Sequence, residues 1–220
     1  MIPRYWTLWG KTRRGSATGD ETHALVHHMV DVGAVATTLW RLALPAGVRR
    51  RMAAALTSDE DEAGSHLAWL AALHDLGKAS PAFQAQHAPA VPLISAAGLP
   101  FGRLGSDRAH HTAIGHAELL QMLPALLGHV APAAVRGVAA VVGGHRGRWY
   151  AVPPDIPSWD LGDVAWTHVR RALVKDLTAL LRPPVCHWPE ERMALNPLLA
   201  TLAGLVTVAD WLGSVSADFA

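Results

Sequence analysis

Leu73-His74-Asp75-Leu76-Gly77-Lys78 decides how this chain is read, because an imidazole and a carboxylate side by side can hold a divalent metal against phosphate oxygens. The stretch before it, 62–73, is rich in Ala and Leu and carries Leu67, Leu70 and Leu73 at helical spacing, so the pair is expected near the end of a helix that Gly77 closes. Successive helical side chains diverge by about 100°, so the two cannot be redundant ligands on one line. Asp75 could bridge two metals while His74 binds one. A His-Asp dipeptide also arises by chance, as a helix-ending histidine beside a solvated aspartate. The metal reading therefore requires further, separated His and Asp residues that converge on the pair.

The chain has 220 residues, half of them hydrophobic, enough for one domain over 1–220 with a substantial core. Ala and Leu dominate and alternating β-branched segments are scarce, which predicts an all-α class. The single cysteine, Cys186, leaves no disulfide framework and no thiolate cluster, and a reducing cytoplasm fits best. The N-terminus reaches Lys11, Arg13 and Arg14 without the apolar stretch of a signal peptide. The apolar run 198–209 is too short to span a membrane before Asp210 interrupts it and reads as a buried core helix, so no membrane partner is expected. A net charge of +1 argues against tight nonspecific nucleic-acid binding by the whole surface. Most basic clusters, such as Arg49-Arg50-Arg51 and Arg170-Arg171, read as solvated charge. Arg146 and Arg148 carry more weight because they follow a candidate ligand.

A first helix is expected from about His23 into the low forties, and it places His28 and Asp31 one turn apart, as a ligand and its supporting carboxylate. Ser80-Pro81 caps a short helix, and 88–107, rich in Pro and Gly, should be an irregular connection. His110-His111 begins the next helix, and one of the two histidines can enter a site while its neighbour faces away. A helix over about 133–142 then ends at Gly143-Gly144-His145-Arg146-Gly147, a plausible site-lining turn. The spacing predicts one long helix over 159–181 and another starting at Asn196-Pro197. Asp210 emerges from that last apolar helix, where a carboxylate is costly unless paired or metal-bound.

His28, His74-Asp75, His111, His145 and Asp210 follow the order and contexts of the HD phosphohydrolase superfamily. The finer likeness lies in Leu-His-Asp-Leu-Gly-Lys followed by Ser80-Pro81-Ala82-Phe83-Gln84, then Gly143-Gly144-His145-Arg146-Gly147 and Ala209-Asp210-Trp211-Leu212-Gly213-Ser214. With Trp9-Gly10-Lys11 and His28-Met29-Val30-Asp31, the set resembles the HD nuclease domain of the CRISPR-associated helicase-nuclease of type I systems, over essentially the whole chain. The resemblance implies a helical HD bundle that cuts single-stranded DNA with one or two divalent metals. His28, His74, Asp75 and Asp210 would gather around one metal, and Asp75, His111 and His145 around another. His111 is preferred to His110 for its family-like interval to Gly115. The family often carries Gly-Gly-His-His-Gly where this chain has His145-Arg146. A guanidinium has no lone pair to give a metal, so the second metal's coordination is thinned, and Arg146 is suited to a DNA phosphate instead.

The expected reaction is attack of metal-activated water on a DNA phosphodiester, with His74 and Asp75 at its centre and with Lys78, Arg146 and Arg148 as candidate phosphate contacts. Lys78 could equally be a helix-terminal lysine. The donor set suits Mn, Fe, Co, Ni or Zn, and Mg remains compatible. The resembling family also contains an ATP-driven helicase, but no phosphate loop of the Gly-x-x-x-x-Gly-Lys-Ser/Thr kind occurs in this chain, so the resemblance implies a helicase domain or subunit and an RNA-guided CRISPR surveillance complex as partners. The alternatives are an HD phosphohydrolase acting on nucleotides or cyclic dinucleotides, and a degenerate HD module retained for docking.

Overall fold

Helical spacing becomes helix along most of the chain, and the computed structural model describes residues 3–12, 22–103, 105, 107–145 and 155–215. A 3-10 turn at Arg4–Thr7 leads into an antiparallel hairpin of β1 (Trp9–Thr12) and β2 (Thr22–Ala24), with Trp9 opposite Ala24 and Lys11 opposite His23. Then come α1 (Leu25–Leu42), α2 (Ala46–Ala55), α3 (Glu60–Ala72), a 3-10 turn at Leu76–Lys78, α4 (Pro81–Gln84), a 3-10 turn at Ala88–Ala90 and α5 (Val91–Ala96). The second half consists of α6 (His111–Leu127), α7 (Pro132–Gly143), α8 (Ser158–Leu161), α9 (Val164–Leu181) and α10 (Arg192–Leu212). The class is all-α, as the composition predicts, with one small hairpin added.

The central helix is α3. Asp59 caps it by accepting from the Glu62 N–H at 2.8 Å, and Glu60, Asp61 and Glu62 fill the first turn, where the helix dipole favours negative charge. Beyond that turn it is buried on nearly all sides, from Ala63 through Ala72, as a helix clasped between neighbours must be. One side packs on α1, where Gly33 lies against Ala68 and Ala72 and the Trp40 ring against Gly64, and others meet α2, α9 and α10. The apolar stripe of α10, Leu195, Leu198, Leu202 and Val206, is buried against α1 and α7. Length and composition alone would let α10 cross a membrane, but this stripe sits in the protein core.

Several boundaries differ from the sequence reading. The expected helix over 159–181 is two: Gly162 adopts φ +81°, a left-handed conformation that breaks the run, and Asp163 restarts it by accepting from the Ala165 N–H at 2.9 Å. Residues 88–107 are not irregular throughout, since Pro92 sits in the first turn of α5, where a missing N–H is harmless, and Ile94 anchors that helix in the core. Asn196-Pro197 does not start α10, which begins at Arg192 and carries Pro197 inside it. The carbonyl that Pro197 leaves without a donor belongs to Met193, which is 90% exposed, so water can serve it. His23 lies in β2 rather than at the head of α1.

Candidate metal centre

The central helix ends at Ala72, and the chain passes through His74 and Asp75 into the 3-10 turn of Leu76–Lys78. Gly77 does not close that helix; it lets two elements touch. A Cβ there would stand 1.9 Å from the His111 carbonyl oxygen and 2.5 Å from the Gly115 nitrogen, so the turn lies directly against the start of α6. That contact brings His111 beside Asp75. Gln84 braces the other side: it accepts from the Trp9 backbone N–H at 3.1 Å and donates to the carbonyls of Trp9 at 2.8 Å and Lys78 at 2.9 Å. The Thr207 hydroxyl on α10 donates to the His145 carbonyl at 3.0 Å, tying the turn after α7 to the helix that carries Asp210.

The six candidate ligands meet in one buried cluster. Asp75 Oδ2 lies 3.1 Å from His28 Nε2 and 3.2 Å from His74 Nε2, and Asp210 Oδ1 lies 3.3 Å and 3.5 Å from the same two nitrogens. The other Asp75 oxygen, Oδ1, faces His111 Nε2 at 3.6 Å and His145 Nε2 at 3.5 Å. Two groups of donors result, His28 with His74, Asp75 and Asp210, and Asp75 with His111 and His145, sharing one carboxylate.

The arrangement fits divalent cations. Ligand atoms about 2.0–2.2 Å from a common metal stand roughly 3–3.5 Å from one another, close to the separations here. Asp75 Oδ1 and His111 Nε2, both buried, find no hydrogen-bond partner among the described residues, as expected of atoms that need a cation. His74 Nδ1 donates to the Ala71 carbonyl at 2.9 Å, which leaves the Nε2 lone pair facing the cluster.

Electrostatics agree. Burial alone would raise the pKa of Asp75, but Lys78, His74 and hydrogen bonds from His28 and His74 outweigh it and hold the carboxyl well below its usual range. Asp210 is likewise pushed far down, against burial, by hydrogen bonds from His28 and His74. Burial opposes the charge on His74, yet Asp75 and Asp210 lift it to about 9, so that in the absence of an ion a proton sits on Nε2 and a bound metal would take its place. Burial drives His111 down to about 2, so its imidazole is neutral and able to donate a lone pair.

Lys78 is buried, with its ammonium 2.7 Å from Asp75 Oδ2 and donating to the Gly10 carbonyl at 2.8 Å. Asp31 does not support His28. Its carboxylate pairs with His23 at 3.0 Å, and His28 Nδ1 has no hydrogen-bond partner among the described residues, because His28 points into the core while Asp31 sits at the half-exposed rim of α1. Arg146 and Arg148 lie outside the described residues. His110 caps α6, accepting from the Thr112 N–H at 3.3 Å, and leaves His111 as the histidine of the pair within the cluster.

Sequence reasoning assigned no role to Lys11. Its ammonium lies 3.4 Å from Asp210 Oδ1 and donates to the Ser214 hydroxyl, which in turn lies 3.0 Å from the same oxygen. Burial lowers the Lys11 pKa, with Asp210 opposing. The Trp9-Gly10-Lys11 stretch was the available signal, but only the fold shows that β1 delivers Lys11 to the far end of α10.

With this geometry in hand, comparison with known proteins is specific. The family model described as "Cas3, HD domain" matches residues 9–219. A CRISPR-associated endonuclease/helicase Cas3 of Thermus thermophilus is 31% identical over 94% of the chain, which spans 22% of that relative. Among solved structures, the Thermus thermophilus cas3 HD domain in the presence of Ni2+ superposes with a TM-score of 0.68 at 25% identity, covering 98% of this chain and 78% of that one. A chain of a CRISPR RNA-guided surveillance complex, pre-nicking, matches with a TM-score of 0.77 at 29% identity, over 97% of this chain and 24% of that one. The chain thus spans about a fifth of the length of its curated relative.

Proposed function

The chain belongs to the Cas3 HD-domain family, and from that premise we propose that it is a metal-dependent nuclease that hydrolyses phosphodiesters of single-stranded DNA in type I CRISPR interference. The observation that carries this reading is the division of Asp75 between two donor groups, Oδ2 toward His28 and His74 and Oδ1 toward His111 and His145. A carboxylate shared in this way suits a pair of divalent ions, and Asp210 completes the first group. When bound, such ions supply Lewis acidity to the phosphate and lower the pKa of water.

The chain's own residues do the rest. His28, His74, Asp75, Asp210, His111 and His145 hold the ions, and the Ala71 carbonyl keeps His74 in the tautomer that can donate. Lys78 balances the charge of Asp75 and holds it against the β1 backbone. Lys11 is the more accessible lysine, with its side chain 22% exposed against 4% for Lys78, and it contacts a substrate phosphate from the Asp210 side, with Arg146 and Arg148 as further phosphate contacts. Residues 1–220, of which 9–219 match the family model, would act as one HD unit alongside an ATP-driven helicase and an RNA-guided surveillance complex in the cytoplasm.

The test is cleavage of single- and double-stranded DNA with Mn, Co or Ni, by the wild type and by Asp75→Ala. Metal-dependent cutting of the single strand, lost in the variant, supports the reading. Turnover of nucleotides or cyclic dinucleotides with no DNA cleavage would overturn it.

A further inference from the structure

Trp9, Trp40, Trp69, Trp166 and Trp188 are buried, whereas Trp6, Trp159 and Trp211 are exposed; Trp6, 45% exposed, stands on the 3-10 turn just before β1. Its indole lines two clefts. One, of about 500 Å³, is shared with His23, His27, Asp31 and Asp176, and the other, of about 550 Å³, with Trp9, His87 and Leu93. Both volumes fall in the range of about 300–1,000 Å³ that holds small organic groups. The rim around Trp6 is aromatic: the His27 ring lies edge-on at 5.1 Å, and His87 sits 5.6 Å from Trp9.

Neither cleft is lined by a metal ligand, and each is linked to the centre through intervening residues. In the first, the His23 ring lies 6.5 Å from that of His28. The second is walled by Trp9, whose neighbour Gly10 accepts the Lys78 ammonium. An exposed tryptophan between two recesses each large enough for a base, joined to the metal ligand His28 through the rings of His27 and His23, suits an unstacked strand, since every base offers a face to stack on. Asp31 and Asp176 in the first cleft repel phosphate but can accept from base N–H groups, and Val26, Val30 and Leu180 supply its apolar wall.

We propose that Trp6 inserts between two successive bases of the single-stranded substrate outside the metal centre and seats one base in each cleft. A base-paired strand keeps its bases stacked and cannot use the site. The inference rests on the single-strand reading above, and its test is separable from that reading because binding and catalysis are measured independently.

Binding is read by fluorescence anisotropy in chelator, so that the strand stays intact, using a labelled single-stranded oligonucleotide and the same oligonucleotide with two adjacent abasic sites moved along it. Catalysis is read with metal on bis(p-nitrophenyl) phosphate, a phosphodiester without bases. The wild type should bind the intact strand about tenfold more tightly than a strand whose abasic pair falls at the clefts, and Trp6→Ala should lose about the same factor on the intact strand. Trp6→Ala should be indifferent to the abasic pair, Trp6→Phe should keep most of the affinity, and hydrolysis of the base-free diester should match the wild type. Equal binding of intact and abasic strands by the wild type, or a Trp6→Ala loss that extends to the base-free diester, would overturn the proposal. Base-dependent binding without DNA cleavage would retain this site and remove the nuclease reading, whereas cleavage with base-independent binding would do the reverse.

Discussion

Gly77 and His111 touch through their backbones so closely that a Cβ on Gly77 would stand 1.9 Å from the His111 carbonyl oxygen. The contact fixes how far the Asp75 turn lies from the start of α6, and therefore whether Asp75 Oδ1 and His111 Nε2 can serve one ion. Gly77→Ala must push the two elements apart. The expected cost is at least the ~1–3 kcal/mol typical of overpacking, together with weaker metal binding. Urea denaturation and a metal titration check both, and an alanine variant with wild-type stability and metal affinity would contradict the account.

Arg170 is fully buried, ion-paired to Glu118 at 2.9 Å, and donates to the carbonyls of Ala79 at 2.9 Å and Leu161 at 2.8 Å. It links α6, α8 and the end of the Lys78 turn. Arg170→Met strands Glu118 without a partner and should cost about 3–5 kcal/mol, while Arg170→Met with Glu118→Leu should recover much of that loss. Denaturation midpoints of the single and double variants decide it.

His66 gives a pH dependence with a definite sign. Its Nδ1–H donates to the Pro184 carbonyl at 3.0 Å and its Nε2 accepts from the Trp188 indole N–H at 3.2 Å, a pairing that only the neutral ring can make. Burial lowers its pKa from the usual 6.5, with the Pro184 hydrogen bond opposing. The unfolded chain therefore binds the proton more readily than the folded one. The contribution to stability is fully present above about pH 6.5 and is lost as the pH falls below it. Between about pH 7 and about pH 5 the urea midpoint of the wild type should fall further than that of His66→Gln. Parallel curves would refute the assignment.

Arg146 stands where the family often has a second histidine. If it thins the second donor group, Arg146→His should raise affinity or stoichiometry for Mn or Ni, read by calorimetry. No change would remove Arg146 from the coordination argument.

Much of the site was legible because its residues break local rules: Asp210 at the end of an apolar helix, Asp75 in an Ala-Leu-rich run and His145 behind two glycines are each costly or idle unless they converge. All six expected ligands lie in one cluster. The sequence misled where a role depends on partners far along the chain. Asp31 sits one turn from His28 but pairs with His23, because the hairpin returns β2 alongside α1. Lys11 reaches Asp210, 199 residues away, which no spacing rule reveals. The split of 159–181 turned on one left-handed residue, Gly162, inside an otherwise helical pattern.

The central claim is that one carboxylate, Asp75, serves both donor groups. The most direct test is the number of Mn or Ni ions bound by the wild type, by Asp75→Asn and by His111→Ala, with single-stranded DNA cleavage followed in parallel. The account predicts that Asp75→Asn, which keeps the side-chain volume, loses binding at both groups and all cleavage, while His111→Ala loses only the weaker ion. Retention of the wild-type metal count and cleavage rate by Asp75→Asn would contradict it.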